Sequence, residues 1–100
     1  MKIESELNAK VLEIKLDGRL DTVTSPELDQ FLASNLTENI TDVTFDFEKL
    51  LYISSAGLRL LLMTQKKLTP LNGTVTIKHV NNLVMDILDS VGFSDILTIV

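Results

Sequence analysis

Along Val43-Thr44-Phe45-Asp46-Phe47, Leu50-Leu51-Tyr52-Ile53 and Ser54-Ser55-Ala56-Gly57-Leu58, the spacing of the apolar residues changes character. Val43, Phe45 and Phe47 alternate with polar neighbours at a period of two, which reads as a strand over Val43 to Phe47. Beyond the serines, Leu58, Leu61, Leu62, Gln65 and Leu68 recur at helical spacing, with Arg59, Lys66 and Lys67 on the other side. Two serines, an alanine and a glycine between them have the composition of a helix start. A strand running directly into an amphipathic helix is half of a β-α-β unit. The chain is therefore expected to form a parallel sheet with helices packed on it.

The flanks extend the same alternation. Downstream, Thr69-Pro70 and Asn72-Gly73 end the helix, and Thr74 to Lys78 alternates as a strand with Val75 and Ile77 inward. Asn81-Asn82 then caps a third helix carrying Val84, Ile87, Leu88 and Val91 on one face, with Gly92 as its stop. Ile96 to Val100 reads as a last strand. Upstream, Thr24-Ser25-Pro26-Glu27 is a helix start, with Thr24 as the cap, Glu27 three residues on and Pro26 in the first turn. Leu28, Phe31, Leu32 and Leu36 form its apolar stripe. Before it, Ile3 and Leu7 share one face of a strand, and Leu12, Ile14 and Leu16 share one face of the next. Asn8-Ala9-Lys10 joins the two as a hairpin, and Asp17-Gly18 stops the second.

The expected order is ββαβαβαβ: an α/β fold with a mixed, mostly parallel sheet and one antiparallel strand from the hairpin. Functional loops in such sheets gather beyond the carboxyl ends of the strands. Gly18 to Thr24, Leu51 to Gly57 and His79 to Asn82 are expected on that edge.

Composition narrows the chemistry. One hundred residues, 45% of them apolar, suit a single domain spanning 1–100 with one core and little material for a deep cleft. Without cysteine there is no disulfide, thiolate metal site or cysteine nucleophile. A net charge of −5 and nine scattered basic residues argue against nucleic acid as a partner. No apolar stretch exceeds that of Leu60 to Met63, too short for a bilayer, and Met1 to Glu6 lacks a signal-peptide core. A cytoplasmic monomer without membrane partner or cofactor is expected. Asp42, Asp46 and Glu48 lie along one strand with no histidine beside them in sequence, so no metal site is expected.

At the mouth of the second helix the first backbone N–H groups lack intrahelical partners, and the helix dipole adds partial positive charge. The site suits a serine hydroxyl as a cap, and a phosphate attached to one still better. Ala56 and Gly57 carry little bulk and would let a partner approach.

The run Asp46-Phe47-Glu48-Lys49-Leu50-Leu51-Tyr52-Ile53-Ser54-Ser55-Ala56-Gly57-Leu58-Arg59 resembles the signature of the STAS domain, the fold of bacterial anti-sigma-factor antagonists. Gly18-Arg19-Leu20-Asp21 resembles that family's element after the second strand. The resemblance implies a protein that is not an enzyme. Its unphosphorylated form would bind an anti-sigma factor that is also a serine kinase, which holds the ATP, and so release a sigma factor. Phosphorylation at Ser55, or alternatively Ser54, would end the binding, and a metal-dependent serine phosphatase would restore it. Asp21, Ser54, Ser55, Ala56, Gly57 and Arg59 form the implied partner-binding set. This chain departs from many antagonists in carrying Ser54 where they have aspartate, and Ala56 where a second serine often follows.

Two other readings use the same residues. A non-phosphorylated STAS interaction subunit of a transport or stress-sensing complex would need Ser55 only as part of an interface. A serine hydrolase would need Ser55, His79 and Asp21 together, but no Gly-x-Ser-x-Gly elbow surrounds Ser55.

Overall fold

The computed structural model describes residues 1–100 and carries the elements in the order β1 (Lys2–Asn8), β2 (Val11–Leu20), α1 (Ser25–Asn35), β3 (Asp42–Ile53), α2 (Ser55–Leu68), β4 (Val75–Lys78), α3 (Asn82–Ser90) and β5 (Thr98–Ile99). The strands lie side by side in sequence order. β1 and β2 form the antiparallel hairpin, and β2, β3, β4 and β5 run parallel. This is the mixed α/β sheet that the periodicities predict.

One face of the sheet is covered and the other is open. Leu12, Ile14 and Leu16 of β2, Val43 and Phe45 of β3, and Val75 and Ile77 of β4 are buried with Leu28, Leu61, Val84 and Leu88 from the helices. Their strand neighbours Lys15, Asp17 and Glu48 are exposed. Alternation in β2 thus separates core from solvent as its sequence pattern requires. No helix is long and apolar enough to cross a membrane.

The amino ends of β3 and β4 are held by long-range hydrogen bonds. The Asp42 carboxylate accepts the Thr74 amide at 2.9 Å, and Gln65 of α2 accepts the Val75 amide at 2.8 Å. Gly73 lies so close to the residue preceding β3 that a Cβ there would stand 1.6 Å from the Thr41 carbonyl oxygen. Only glycine permits that approach.

Several details depart from the sequence pattern. β2 continues past Asp17-Gly18 to Leu20, because Gly18 takes φ +115° inside the strand instead of ending it. β3 runs on from Phe47 to Ile53. Its register against β2 slips twice: Lys15 faces Asp46 and Asp17 faces Lys49, then Gly18 faces Leu50 and Arg19 faces Tyr52. Each slip gives β3 one residue more than β2, a bulge that adds twist. The Asp46 carboxylate accepts the Glu48 amide at 3.0 Å and so holds the first bulge.

Thr24 stands before α1 but does not cap it with its side chain. Its hydroxyl instead donates to the Arg19 carbonyl at 2.7 Å and accepts the Asp21 amide at 2.9 Å, closing the loop. At the C-terminus a 3-10 turn over Phe93–Asp95 shortens the last strand to Thr98–Ile99. Leu7, on the edge strand, remains 57% exposed and does not join the core.

Candidate functional site

The carboxyl edge of the sheet brings the three expected loops together. The Ser54 amide donates to the Leu20 carbonyl at 2.8 Å, tying the end of β3 to the end of β2. The Asn81 side chain donates to the Leu50 carbonyl at 2.8 Å and accepts the Val84 amide at 2.8 Å, so one residue caps α3 and anchors it to β3. Because both strands run farther than expected, the loops are tighter. One spans Asp21 to Thr24, and Ser54 alone separates β3 from α2.

The two serines have different positions. Ser54 is the N-cap of α2, in extended backbone, and its hydroxyl accepts the Gly57 amide at 3.5 Å. Its carbonyl accepts the Leu58 amide at 2.9 Å, the first bond of the helix. Ser55 is the first helical residue and is exposed. Its hydroxyl makes no hydrogen bond within the chain. The Ser55 and Ala56 amides precede the first helical bond and have no intrahelical partner.

Gly57 corrects an expectation. It is buried and does not face a partner, and a Cβ there would meet Leu20 Cγ at 2.7 Å and Ile53 Cγ1 at 2.8 Å. Its smallness serves close packing of α2 on the ends of β2 and β3. Ala56 is half-buried and Arg59 exposed. Together with Met63 they face Thr22, Pro26 and Asp29 across a shallow groove between α2 and α1.

Asp21 organises the first loop. Its Oδ1 accepts the amides of Val23 at 3.0 Å and Thr24 at 3.1 Å. The Thr24 amide is the main cause holding this carboxyl below the usual carboxylate range. Partial burial opposes it, and the Val23 amide, the Thr24 hydroxyl and the Arg19 charge add to it. Asp21 Oδ2 lies 4.0 Å from Arg19 Nε. The Arg19 guanidinium carbon stands 4.6 Å over the Tyr52 ring, a cation–π contact. Sequence reasoning missed this pair, since its signal is the register of Arg19 opposite Tyr52, two bulges along β3.

His79 sits apart from these residues. It takes φ +60°, and its Nδ1 lies 3.0 Å from Asp46 Oδ1. Asp21, engaged in its own loop, makes no bond to His79, so Ser55, His79 and Asp21 form no hydrogen-bonded triad. The expectation that Asp42, Asp46 and Glu48 lack a histidine is also corrected. Parallel pairing sets Asp46 opposite Lys78, and the next residue, His79, brings its donor atom within 4.8 Å of those of Asp46 and Glu48. Those three side chains are the ones that could hold a cation. Burial pushes the Asp46 carboxyl up, but hydrogen bonds from His79 and the Glu48 amide, with the charges of His79 and Lys78, hold it below its usual range.

Comparison with known proteins agrees with this architecture. The chain is 28% identical over 97 residues to the anti-sigma-B factor antagonist of Staphylococcus aureus strain NCTC 8325 / PS 47, covering 97% of this chain and 90% of that protein. It is 29% identical over 97 residues to the antagonist of Staphylococcus epidermidis, with the same coverage. Its fold is similar to that of the anti-sigma factor antagonist SpoIIAA in its unphosphorylated form, with a TM-score of 0.78 at 18% identity over 99% of this chain and 87% of that one. An anti-sigma factor antagonist from Mycobacterium paratuberculosis superposes with a TM-score of 0.87 at 19% identity over 98% of this chain and 83% of that one. The family model described as "Mlab, STAS domain" matches residues 3–99. The chain thus belongs to the STAS domain family, whose anti-sigma-factor antagonists are regulatory binding proteins and not enzymes.

Proposed function

We propose that this protein is an anti-sigma-factor antagonist controlled by phosphorylation of Ser55. The unphosphorylated form binds an anti-sigma factor through the start of α2 and the Asp21 loop, and releases the sigma factor which that partner would otherwise hold. The partner is also a serine kinase and binds the ATP; a serine phosphatase reverses the modification. The observation that carries the reading is the division of labour between the two serines. Ser54 caps α2, whereas Ser55 is exposed and its hydroxyl is unengaged. The named staphylococcal relatives support the antagonist role.

A phosphoserine adds roughly −1.5 to −2 charges. Inside an interface it must be desolvated, and it repels nearby carboxylates of the partner. A loss of about 3 kcal/mol weakens binding more than a hundredfold. Little movement of the fold is required. Ser55→Asp is expected to weaken binding to the anti-sigma factor while leaving the folded state intact, checked by calorimetric titration and circular dichroism; unchanged affinity would remove the electrostatic account.

The direct test is intact-mass and peptide mass spectrometry of the protein purified from its own host across growth and stress conditions. Phosphate on Ser55 supports the switch, and phosphate on Ser54 moves the acceptor by one residue. Its consistent absence favours a second reading, a non-phosphorylated interaction subunit of a transport or stress-sensing complex.

A further inference from the structure

Arg59 is placed against the electrostatics of its own helix. The first turn of α2 contains no acidic residue, while Lys66 and Lys67 stand in the last turn, where the dipole favours cations. Arg59 lies one turn from the positive end and is exposed. It makes no ion pair and no side-chain hydrogen bond. The chain has one other arginine, Arg19, which is engaged over Tyr52 and beside Asp21. Asp29 lines the same groove as Arg59 but does not pair with it. An exposed guanidinium is therefore held near a helix N-terminus with no ion-pair partner within the chain.

Helix geometry says where that guanidinium reaches. Ser55 and Arg59 are four residues apart on α2 and both exposed, so they are neighbours on one face, with Cβ atoms about 6 Å apart. Side chains on a helix tilt toward its N-terminus, so Arg59 covers the turn that begins with Ser55. A guanidinium presents a planar fork of donors that matches phosphate oxygens.

We propose that Arg59 is the residue that captures a phosphate on Ser55. The inference rests on the reading of Ser55 as phosphoacceptor and adds the regulation of that site. When the γ-phosphoryl group of ATP is transferred, the Ser55 Oγ–P bond forms, the bond to ADP breaks and the hydroxyl proton is released. The phosphate oxygens then accept from the amides at the start of α2 and from the Arg59 guanidinium. Modification therefore changes the surface twice. It adds negative charge at Ser55, and it withdraws a cation that the unmodified protein offers to its partner. The attachment is local and leaves the sheet unmoved.

The test installs phosphoserine at position 55 of the full chain by genetic encoding and follows the phosphate by phosphorus NMR against pH. The helix start lowers the second ionisation of the phosphate in every variant, so the comparison is made at constant helix. With Arg59 present the ionisation is expected about half a unit lower than in Arg59→Gln. Arg59→Lys should recover part of the difference, and raising the salt should shrink it. The Arg59 Nε resonance should shift on phosphorylation and not otherwise. Equal titration curves for wild type and Arg59→Gln, with an unmoved Nε resonance, would overturn the proposal. That result is separable from failure of the underlying reading, which is decided by whether Ser55 carries phosphate in the host.

Discussion

The two ends of β3 solve opposite problems. At the amino end, polar groups are matched across long sequence distances: Asp42 takes the Thr74 amide, and Gln65 takes the Val75 amide and donates to the Gly73 carbonyl. The polar side chains of Asp42 and Gln65 are thereby engaged within the fold. At the carboxyl end the backbone is locked just as firmly, through the Ser54–Leu20 and Asn81–Leu50 bonds, yet Ser55 and Arg59 stand exposed and unengaged on top of it. Rigid backbone beneath uncommitted side chains is what a recognition surface requires. If the proposed function holds, hydrogen-bonding capacity left unused, more than burial or strain, distinguishes the recognition end of this sheet from the closed one.

The largest expected effect on stability is at Gly73. A Cβ 1.6 Å from the Thr41 carbonyl oxygen cannot be accommodated by a side-chain rotation, because the obstacle is backbone. Gly73→Ala should lose about 3 kcal/mol or more in urea denaturation, with the turn before β4 displaced. Affinity per folded molecule should stay the same, since the damage lies at the closed end.

Gly57→Ala should do less to stability and more to binding. Its Cβ would meet Leu20 Cγ at 2.7 Å and Ile53 Cγ1 at 2.8 Å, side-chain atoms of two buried residues, where the obstacle at Gly73 is backbone. A loss of about 1–2 kcal/mol is expected, together with an outward shift of the first turn of α2 that carries Ser55. Denaturation and partner titration on the same preparation check both halves. Unchanged affinity with lowered stability would mean that the position of α2 is not critical to recognition.

How much of this was legible in the sequence depends on the range of the signal. Strand and helix identities followed from local period, and the element order from their succession. The glycine at position 57 misled, because smallness that admits a partner and smallness that admits the core look identical in a sequence. Only the direction of its Cα, set by the helix phase against Leu20 and Ile53, separates them. Asp17-Gly18 reads as a stop, yet Gly18 absorbs a positive φ within β2, and each bulge lengthens β3 against its neighbour. His79 reached Asp46 through the β3–β4 register, which pairs residues 32 positions apart in the chain. The helix start at Ser54 and Ser55 was legible because a cap and its neighbour are adjacent and obey local rules.

The two serines give a smaller and sharper contrast. Ser54→Ala removes the α2 cap, and because its hydroxyl contact is a long 3.5 Å, the loss should fall near about 0.5–1 kcal/mol. Ser55→Ala should leave the denaturation midpoint unmoved and, under the proposed switch, abolish phosphorylation. Were Ser55→Ala the more destabilising of the two, the assignment of cap and acceptor would be reversed.

A comparably small effect is expected on the acid limb of stability, and it belongs to the closed end. Asp42 is held below the usual carboxylate range first by the Thr74 amide, then by the Thr41 hydroxyl; partial burial opposes them and the Thr74 hydroxyl adds to them. Its folded-state ionisation thus lies below the unfolded value near about 3.9. The stabilisation is fully present above that value and is lost as pH falls through the folded one. Asp42→Asn should lower stability at neutral pH by about 1 kcal/mol or less, because the group is partly exposed. It should also flatten the decline below about pH 4. The comparison is urea denaturation at pH values from neutral to acid for wild type and variant. Parallel curves would mean that the Asp42–Thr74 bond does not distinguish folded from unfolded chain, and that the closed end is held by Gly73 and Gln65 alone.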